Sequence, residues 1–472
     1  MNVYRKHLPD DFCLPAVMNA LPERTGVYMV GGSVRDLLMK KKPSDYDLLV
    51  AGDARRFSEK LAENLSRRVV ELGKPGQMLY RIVFKGTTFD VSPLSGNSLL
   101  SDLENRDFTI NAIVYDLKED RLVDPLNGIQ DLETHTVRMI SHQAFKNDPI
   151  RLLRAYRIAS ELNFIVDSST TAAIQNNAFR IGQSAGERIR LELLRLFGSS
   201  KSSQYMRHMA QSRLLQEIFP DLKKLEGCTQ NDFHEYDVFD HTLNAYGYLE
   251  KLVHHIPDRF PECEPDLSRH MESSPKALLK LSMLLHDIGK PLTRSSEPDG
   301  TVHFYGHAAA GARMAAAAGQ KIKLSRREVR YIDTVIRHHI RPLHLYRLRQ
   351  ADRSVSKPAA RFFLNVGKSA PDILIHGIAD NSGKRNEPDA LFTSFSIQLI
   401  RRYFKDFLKK KKNGPLLTGY DLIHSFGLAP SPLFKTILEK TDELHYSNHL
   451  KNKAEALVWV RQFLKCQGDS NS

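Results

Sequence analysis

The feature that most limits the fold is a change of hydrophobic period near residue 140. Before it, short β-rich runs alternate with turns and helical stretches. "GVYMVGG", "YDLLVA", "RRVVELG", "LYRIVFKG", "TTFDVSPL", "FTINAIVYD" and "RLVDPL" read as strands, several of them β-branched or aromatic. "VRDLLMKK" and "RRFSEKLAENLS" read as the helices between them. After "AFKNDPIRLLRAYRIAS" the pattern is almost wholly helical to the end. The expected class is therefore α+β: a mixed α/β head with a small sheet over 1–140, a helical neck over 141–225, a long helical body over 226–405 and a helical tail over 406–472. The polar turn "KKKKNGP" marks the last joint. A chain of 472 residues exceeds one small core, which fits three or more packed units.

Within the head, "GGSVRDLLMKKKPSDYDLLVAG" runs from Gly31 to Gly52. Strand side chains alternate faces, so Asp45 and Asp47 share one face while Tyr46 points away. Two adjacent carboxylates repel, and each is pushed towards a raised pKa unless a cation lies between them. Magnesium suits that place, because it takes carboxylate oxygens and reaches substrate phosphates. Gly31 and Gly32 end a strand, and Ser33 can begin a helix whose free N–H groups face the aspartates. Arg35 adds a permanently charged donor fork. A triphosphate held there is placed for in-line attack at its α-phosphorus, the demand of nucleotidyl transfer. Asp90 in "TTFDVSPL" is either a third acid at the same place or a strand-end turn residue.

Lys and Arg number 68 against 55 Asp and Glu, a net charge of +13. Basic runs such as "MKKKPS" and "FLKKKKNG" point to a polyanionic partner, nucleic acid ahead of a membrane surface. No apolar run reaches the ~18 residues that span a bilayer, and the first residues lack the apolar core of a signal peptide. Cys13, Cys228, Cys263 and Cys466 are scattered, which suits a reducing cytosol and excludes a CxxC thiolate site. A cytoplasmic chain with no membrane association is expected.

These blocks carry a resemblance. "GGSVRDLL…SDYDLLV" resembles the signature of class II nucleotidyltransferases, the family of bacterial tRNA CCA-adding enzymes and bacterial poly(A) polymerases. "NRDFTINAIVYD", "LVDPLNGIQDLE", "NDPIRLLRAYRIA" and "SAGERIRLELLRLF" resemble further blocks of that family in the same order, and "PLLTGYDLI" resembles its tRNA-facing end. The resemblance implies that Asp45 and Asp47 hold two magnesium ions and that Gly31, Gly32 and Arg35 bind the triphosphate. It implies that Arg106 and Asp107 contact the sugar, and that Asp148 and Arg151 pair with the Watson–Crick edge of CTP or ATP. Asp148-Pro149 also reads as an ordinary N-cap and N1 pair. Arg151, Arg154 and Arg157 form a basic stripe that is either a solvated face or part of the nucleotide site. Asn105 and Asn147 depart from the family pattern. From Asp90 to Arg106 is only 16 positions, and a short loop here resembles family members that add only part of the CCA end.

The body holds His241, the pair His286-Asp287 in "LLHDIGKP", His307, the pair His338-His339, and Asp380. Imidazole and carboxylate together suit a divalent transition metal. The set resembles the HD phosphohydrolase superfamily. That implies one metal on His241, His286, Asp287 and Asp380, and a second on His307 with His338 or His339. A domain that keeps this fold without its chemistry is the alternative.

The expected function is template-independent transfer of C, A or both to the 3′ end of tRNA from CTP and ATP with two magnesium ions. A hydrolase centre accompanies it. The rivals are a poly(A) polymerase, and an HD phosphohydrolase with a non-catalytic RNA-binding head. The sequence carries no signal of oligomeric state.

Overall fold

The computed structural model describes residues 2–4, 14–23, 25–74, 77–94, 98–229, 236–299, 301–384 and 389–468. The chain divides into two compact units, Met1–Leu196 with His208–Ile218, and Phe197–Arg207 with Phe219–Ser472. Among the described residues no helix is long and apolar enough to cross a membrane.

The first unit is built on an eight-stranded sheet: β1 (Asn2–Tyr4), β2 (Val27–Val30), β3 (Asp45–Val50), β4 (Val70–Lys74), β5 (Gln77–Phe84), β6 (Thr87–Pro93), β7 (Val114–Asp116) and β8 (Arg121–Asp124). Their spatial order is β1-β8-β7-β2-β3-β6-β5-β4. Every neighbouring pair is antiparallel except β3 and β6, which run parallel. A parallel pair needs a crossover, and here the crossover carries the helix Ala54–Asn64 together with β4 and β5.

All seven strands expected from the sequence form. β1 was not expected, and it is held by pairing with β8. "FTINAIVYD" is strand only from Val114; Thr109–Asn111 is a 3-10 turn. Gly128 explains that turn. A Cβ on Gly128 would lie 2.2 Å from the carbonyl oxygen of Thr109, so only glycine lets the helix Gly128–Glu133 approach it.

The pleat sorts β3. Tyr46, Leu48 and Val50 join Val34, Leu37, Phe57, Leu61, Ile82, Phe89 and Val91 in the larger core. Leu49 faces the opposite side with Val30, Leu103, Val114 and Val123. Asp45 and Asp47 therefore extend this second face beyond its apolar end. The helix Ile150–Leu162 follows in the same unit, with Ile150, Leu152, Leu153, Tyr156 and Ile158 buried.

Among its described residues the second unit has helices and a short hairpin, Ser295–Ser296 with Val302–His303. Five of its helices, Val238–His254, Lys276–Leu285, His307–Lys321, Arg326–His338 and Ala370–Ser382, bring the histidine series together. Leu417, Leu422, Ile437, Leu450, Ala456 and Val460 form a separate apolar cluster in the tail. The α+β class holds, with the sheet confined to the head.

Two candidate catalytic centres

The first centre is a cleft of about 360 Å³ in the first unit. Gly31, Gly32, Arg35, Asp45, Asp47, Arg106, Asp107, Arg154 and Arg157 all line it, and Asp90, Asp148 and Arg151 are not among its lining residues. Gly31 sits at φ 76, where side chains are strained, and a Cβ there would lie 2.5 Å from Oδ2 of Asp47. Glycine is thus what lets the turn close over the carboxylate.

Asp90 lies in register with Asp47 across the parallel pair. Its own carboxylate is clasped by Arg81, with Nε and Nη2 each 2.7 Å from an oxygen. Asp47 has no comparable clasp. Burial raises its pKa, Arg106 opposes the rise, and Asp90, Asp45 and Asp107 add to it. A cation at this face relieves both the burial and the repulsion, and two carboxylates are the hard oxygen donors that magnesium takes. The donor set fits that metal.

Arg35 is engaged from two sides. Its Nε and Nη2 donate to Asp36 at 2.9 and 2.7 Å, and Nη1 donates to Asn111 at 2.7 Å. Asn111 donates onward to Asp107. Asp107 accepts from the backbone N–H of Phe108 and from Arg154. Burial alone would raise Asp107, but Arg154, Asn111 and Phe108 hold it below the usual carboxylate range. Arg154 and Arg157 share Glu192, at 3.0 and 2.8 Å, and Arg157 and Arg195 share Glu161. One polar chain therefore runs along the cleft from Asp36 to Arg195. Arg157 is only 8% exposed, so this stretch of the basic stripe is a paired wall of the cleft and no solvated face. Sequence reasoning missed Asn111, Glu192 and Arg81.

Asp148 does not cap its helix: Pro149 is the N-cap residue and no side chain bonds there. Its carboxylate instead takes two 2.8 Å bonds from Arg188. Arg151 donates to the carbonyl of Arg106 at 3.0 Å, with Nε 3.8 Å from Asp148. The two residues assigned to base reading are thus adjacent, and Arg151 touches the segment that carries Arg106 between the helix Leu99–Glu104 and the 3-10 turn Thr109–Asn111.

The second centre is a buried knot in the second unit. Nε2 of His241 is 3.0 Å from Asp380 and 3.7 Å from Asp287, and Nε2 of His286 is 3.0 Å from Asp287 and 3.6 Å from Asp380. His307 and His339 approach Asp287 at 3.6 and 3.8 Å, with their Nε2 atoms 3.3 Å apart. These atoms fall into three overlapping groups of metal-ligand spacing.

The imidazoles are aimed locally. Nδ1 of His286, His307 and His339 each donates to the carbonyl three residues earlier: Met283, Phe304 and Ile336. That fixes the tautomer and leaves Nε2 as the inward acceptor, as a metal-ligating histidine requires. Gly289 permits the close approach, since a Cβ on it would lie 2.3 Å from the carbonyl of His307. Burial alone would lower His286, but the Asp287 and Asp380 carboxylates push it up to about 10, so they hold a proton on Nε2 at the place a metal cation would take, and Nε2 is an acceptor once that proton is displaced. Burial would raise Asp287, yet His286 and Lys290 hold it well below the usual range. A set of four imidazoles and two carboxylates converging this way fits a divalent transition metal.

One expectation is corrected. His338 is not in this knot; it lines a separate cavity with Arg341 and His344, because successive residues on a helix point about 100° apart. His339, only 2% exposed, is the member of the pair that joins the centre. The sequence also hid His376, fully buried with its ring centroid 5.4 Å from His286 and 5.8 Å from His339.

Two carboxylates at the rim of a sheet beneath a glycine turn define a nucleotidyl-transfer site, and comparison with known proteins agrees. The poly A polymerase head domain matches residues 27–138, the probable RNA and SrmB-binding site of polymerase A matches 163–225, and the HD domain matches 238–363. The A-adding tRNA nucleotidyltransferase of Deinococcus radiodurans is 30% identical over 94% of this chain and 96% of its own. The CC-adding tRNA nucleotidyltransferase of Synechocystis is 27% identical over 93% of each. Among solved structures, the Thermotoga maritima CCA-adding enzyme complexed with tRNA superposes with a TM-score of 0.64 at 21% identity, covering 97% of this chain and 100% of that one. A CCA-adding enzyme with CTP gives 0.67 at 20% identity, covering 97% and 95%. The chain belongs to the tRNA nucleotidyltransferase family and is an enzyme of that kind carrying an HD domain. Asp380 lies beyond the matched HD residues and reaches the centre on the helix Ala370–Ser382.

Proposed function

We propose that the head adds C, A or both to the 3′ end of tRNA, taking CTP and ATP as donors. The observation that carries the reading is the shared face of Asp45 and Asp47 under the Gly31 turn, in register with Asp90. The terminal 3′-oxygen attacks the α-phosphorus, a new P–O bond forms, and the bond to the bridging oxygen breaks as pyrophosphate leaves. The hydroxyl proton passes to solvent or to a carboxylate of this face.

Two magnesium ions held by Asp45 and Asp47 supply charge neutralisation at the phosphates when bound. The chain's own part is positioning. Backbone N–H groups at the start of the helix Gly32–Leu38 and the Arg35 guanidinium, steadied by Asn111, face the triphosphate. Arg106 stands beside the reacting face. Asp148 accepts from an exocyclic amine and Arg151 donates to ring acceptors, so C and A are read by side chains. Reading a base requires Asp148 to exchange its bonds with Arg188 for the nucleotide.

The short connection from Asp90 to Arg106 favours partial synthesis of the CCA end, and relatives named as A-adding and as CC-adding both align over nearly the whole chain. The test is incorporation of CTP and ATP, supplied separately, into tRNA lacking one, two or three terminal nucleotides, beside an unstructured oligo-RNA. Incorporation into tRNA alone is expected; long A tails on the oligo-RNA would establish poly(A) polymerase instead.

A second activity is favoured by the inward Nε2 atoms of the HD centre. It is metal-dependent hydrolysis of phosphate esters at RNA ends, 2′,3′-cyclic phosphates included, by a transition metal on His241, His286, Asp287, His307, His339 and Asp380. His286→Ala is expected to abolish it while nucleotide incorporation persists. Work in the cytoplasm fits the described cysteines, Cys228, Cys263 and Cys466, none of which is in a disulfide.

A further inference from the structure

The strands β3, β6, β5 and β4 set one row of side chains across the first unit. Asp47 is in register with Asp90, Asp90 with Arg81, and Arg81 with Val70. Residues in register share a face of the sheet, so Arg81 and Val70 continue the face that carries Asp47 and Asp90. Neighbouring strands lie ~4.8 Å apart, which places Arg81 about 10 Å and Val70 about 14 Å from Asp47 along the row.

Beyond Asp90 that face is open. Leu79 and Val83 flank Arg81 two residues away on β5, and Leu72 meets Leu79 from β4. Val70 and Val83 are 51% and 52% exposed, and Leu72 is 37% exposed. Among the described residues none of these four joins either apolar cluster of the head. The helix Ala54–Asn64 packs on β5 and β6, but on the opposite face, where Phe57 and Leu61 meet Ile82 and Phe89.

Arg81 stands in the middle of this apolar strip. Asp90 fixes its Nε and Nη2, and Nη1 has no partner among the described residues. The side chain is 41% exposed. It is a guanidinium already held in place, with one donor arm left for a ligand.

The geometry of displacement assigns a side to each reactant. The turn that carries Gly31 and Arg35, which on the transfer reading faces the triphosphate, follows β2 on one flank of β3. β6, β5 and β4 lie on the other flank. Attacking and leaving oxygens stand roughly in line across the phosphorus. With pyrophosphate departing towards β2, the attacking 3′-oxygen arrives over β6, and the nucleotide that carries it lies over β5.

We propose that the strip of Val70, Leu72, Leu79 and Val83, with Arg81 at its centre, seats the 3′-terminal nucleotide of the acceptor RNA. Arg81 takes a backbone phosphate through a charge-assisted bond, and the aliphatic strip takes ribose and base by their faces. Aliphatic side chains read no hydrogen-bonding edge, so the seat accepts whichever nucleotide ends the acceptor. The proposal rests on the transfer reading of the head and adds the path by which the acceptor enters.

The full-length enzyme tests it with tRNA lacking its terminal nucleotides and with CTP and ATP. Val83→Glu sets a negative charge against the phosphates at an exposed position, and Val83→Thr keeps the shape. Val83→Glu is expected to raise KM for tRNA about tenfold, with KM for CTP and ATP unchanged and Val83→Thr close to wild type. Arg81→Ala is expected to flatten the dependence of log KM for tRNA on log salt by about 0.7, the share of one single-strand phosphate contact. A readout independent of turnover uses tRNA ending in a photoreactive thiouridine, which is expected to cross-link to β5.

Unchanged KM for tRNA in Val83→Glu with an unchanged salt slope in Arg81→Ala overturns the seat, as does cross-linking confined to other segments. Equal rises in KM for tRNA and for the triphosphates overturn it as well, and place the strip at the incoming nucleotide. A dimer that Val83→Glu splits in sedimentation, with KM for tRNA unchanged, overturns it in favour of a contact between two copies of this chain. Cross-linking to β5 without incorporation of any nucleotide supports the seat and removes the transfer reading.

Discussion

Asp47 on β3 and Asp90 on β6 stand in parallel register, yet only Asp90 has an arginine partner. Arg81 reaches Asp90 from β5, directly across the antiparallel pair. One carboxylate of the face is thus neutralised by the protein itself, and the other keeps its raised pKa.

The first prediction concerns that imbalance. A folded-state pKa above the unfolded value penalises the ionised form, so the stability it confers is present at low pH and lost as pH rises through the raised value. In EDTA at pH 7, Asp47→Asn is expected to melt above the wild type, and the gap to close as pH falls towards ~4. Magnesium should raise the melting temperature of the wild type but not of the variant. A gap that widens on acidification sinks the assignment.

Gly31→Ala should be damaging for two separable reasons. The backbone at φ 76 and ψ −147, a region almost reserved for glycine, costs on the order of 1–3 kcal/mol for a residue with a Cβ. The Cβ also displaces the Asp47 carboxylate, which a Cβ would meet at 2.5 Å. Urea melts should show the first, and a magnesium titration of nucleotide incorporation should show the second as weaker metal dependence.

Asp107 anchors the polar chain of the cleft, and it is 9% exposed. Asp107→Leu leaves Arg154 with only Glu192 and takes the acceptor from the Asn111 amide N–H, which keeps its bond from Arg35. Breaking a buried pair from one side costs about 3–5 kcal/mol, to be read as a lowered urea midpoint of the first unit. A change below ~1 kcal/mol would mean that Glu192 alone suffices for Arg154.

Base choice is expected to reside in Asp148 and Arg151. Asp148→Ala and Arg151→Ala should relax selection of CTP and ATP against UTP and GTP by about 1–3 kcal/mol, roughly 10- to 100-fold in kcat/KM ratios. Overall fold should be kept. Equal loss with all four triphosphates would instead mark a role in holding Arg106, whose carbonyl Arg151 already contacts.

For the HD centre, metal content separates adjacent residues. His339→Ala and His286→Ala should lose bound transition metal by elemental analysis, whereas His338→Ala should retain it. Loss in His338→Ala would move that ring into the centre.

The sheet was readable because period-2 alternation and β-branched runs survive in short strands; β1, with three residues, is too brief to show a period. The carboxylate pair was readable for the same reason. Asn111 was not, because it meets Arg35 across 76 positions, and no local pattern encodes such a meeting. Glu192 lay within a block assigned to the neck, where an acid among arginines reads as surface charge. The choice between His338 and His339 had a usable signal: Ile332, Val335, Ile336 and His339 repeat at i, i+3, i+4 and i+7 on the buried face. His376 likewise precedes Asp380 by one helical turn.

In the HD centre, three rings take their orientation from a carbonyl three residues back in their own turn. No distant partner has to be kept in step for the ring to point inward. Each ligand travels with a self-contained fragment of backbone, so the surrounding helices are free to diverge in composition so long as these turns persist.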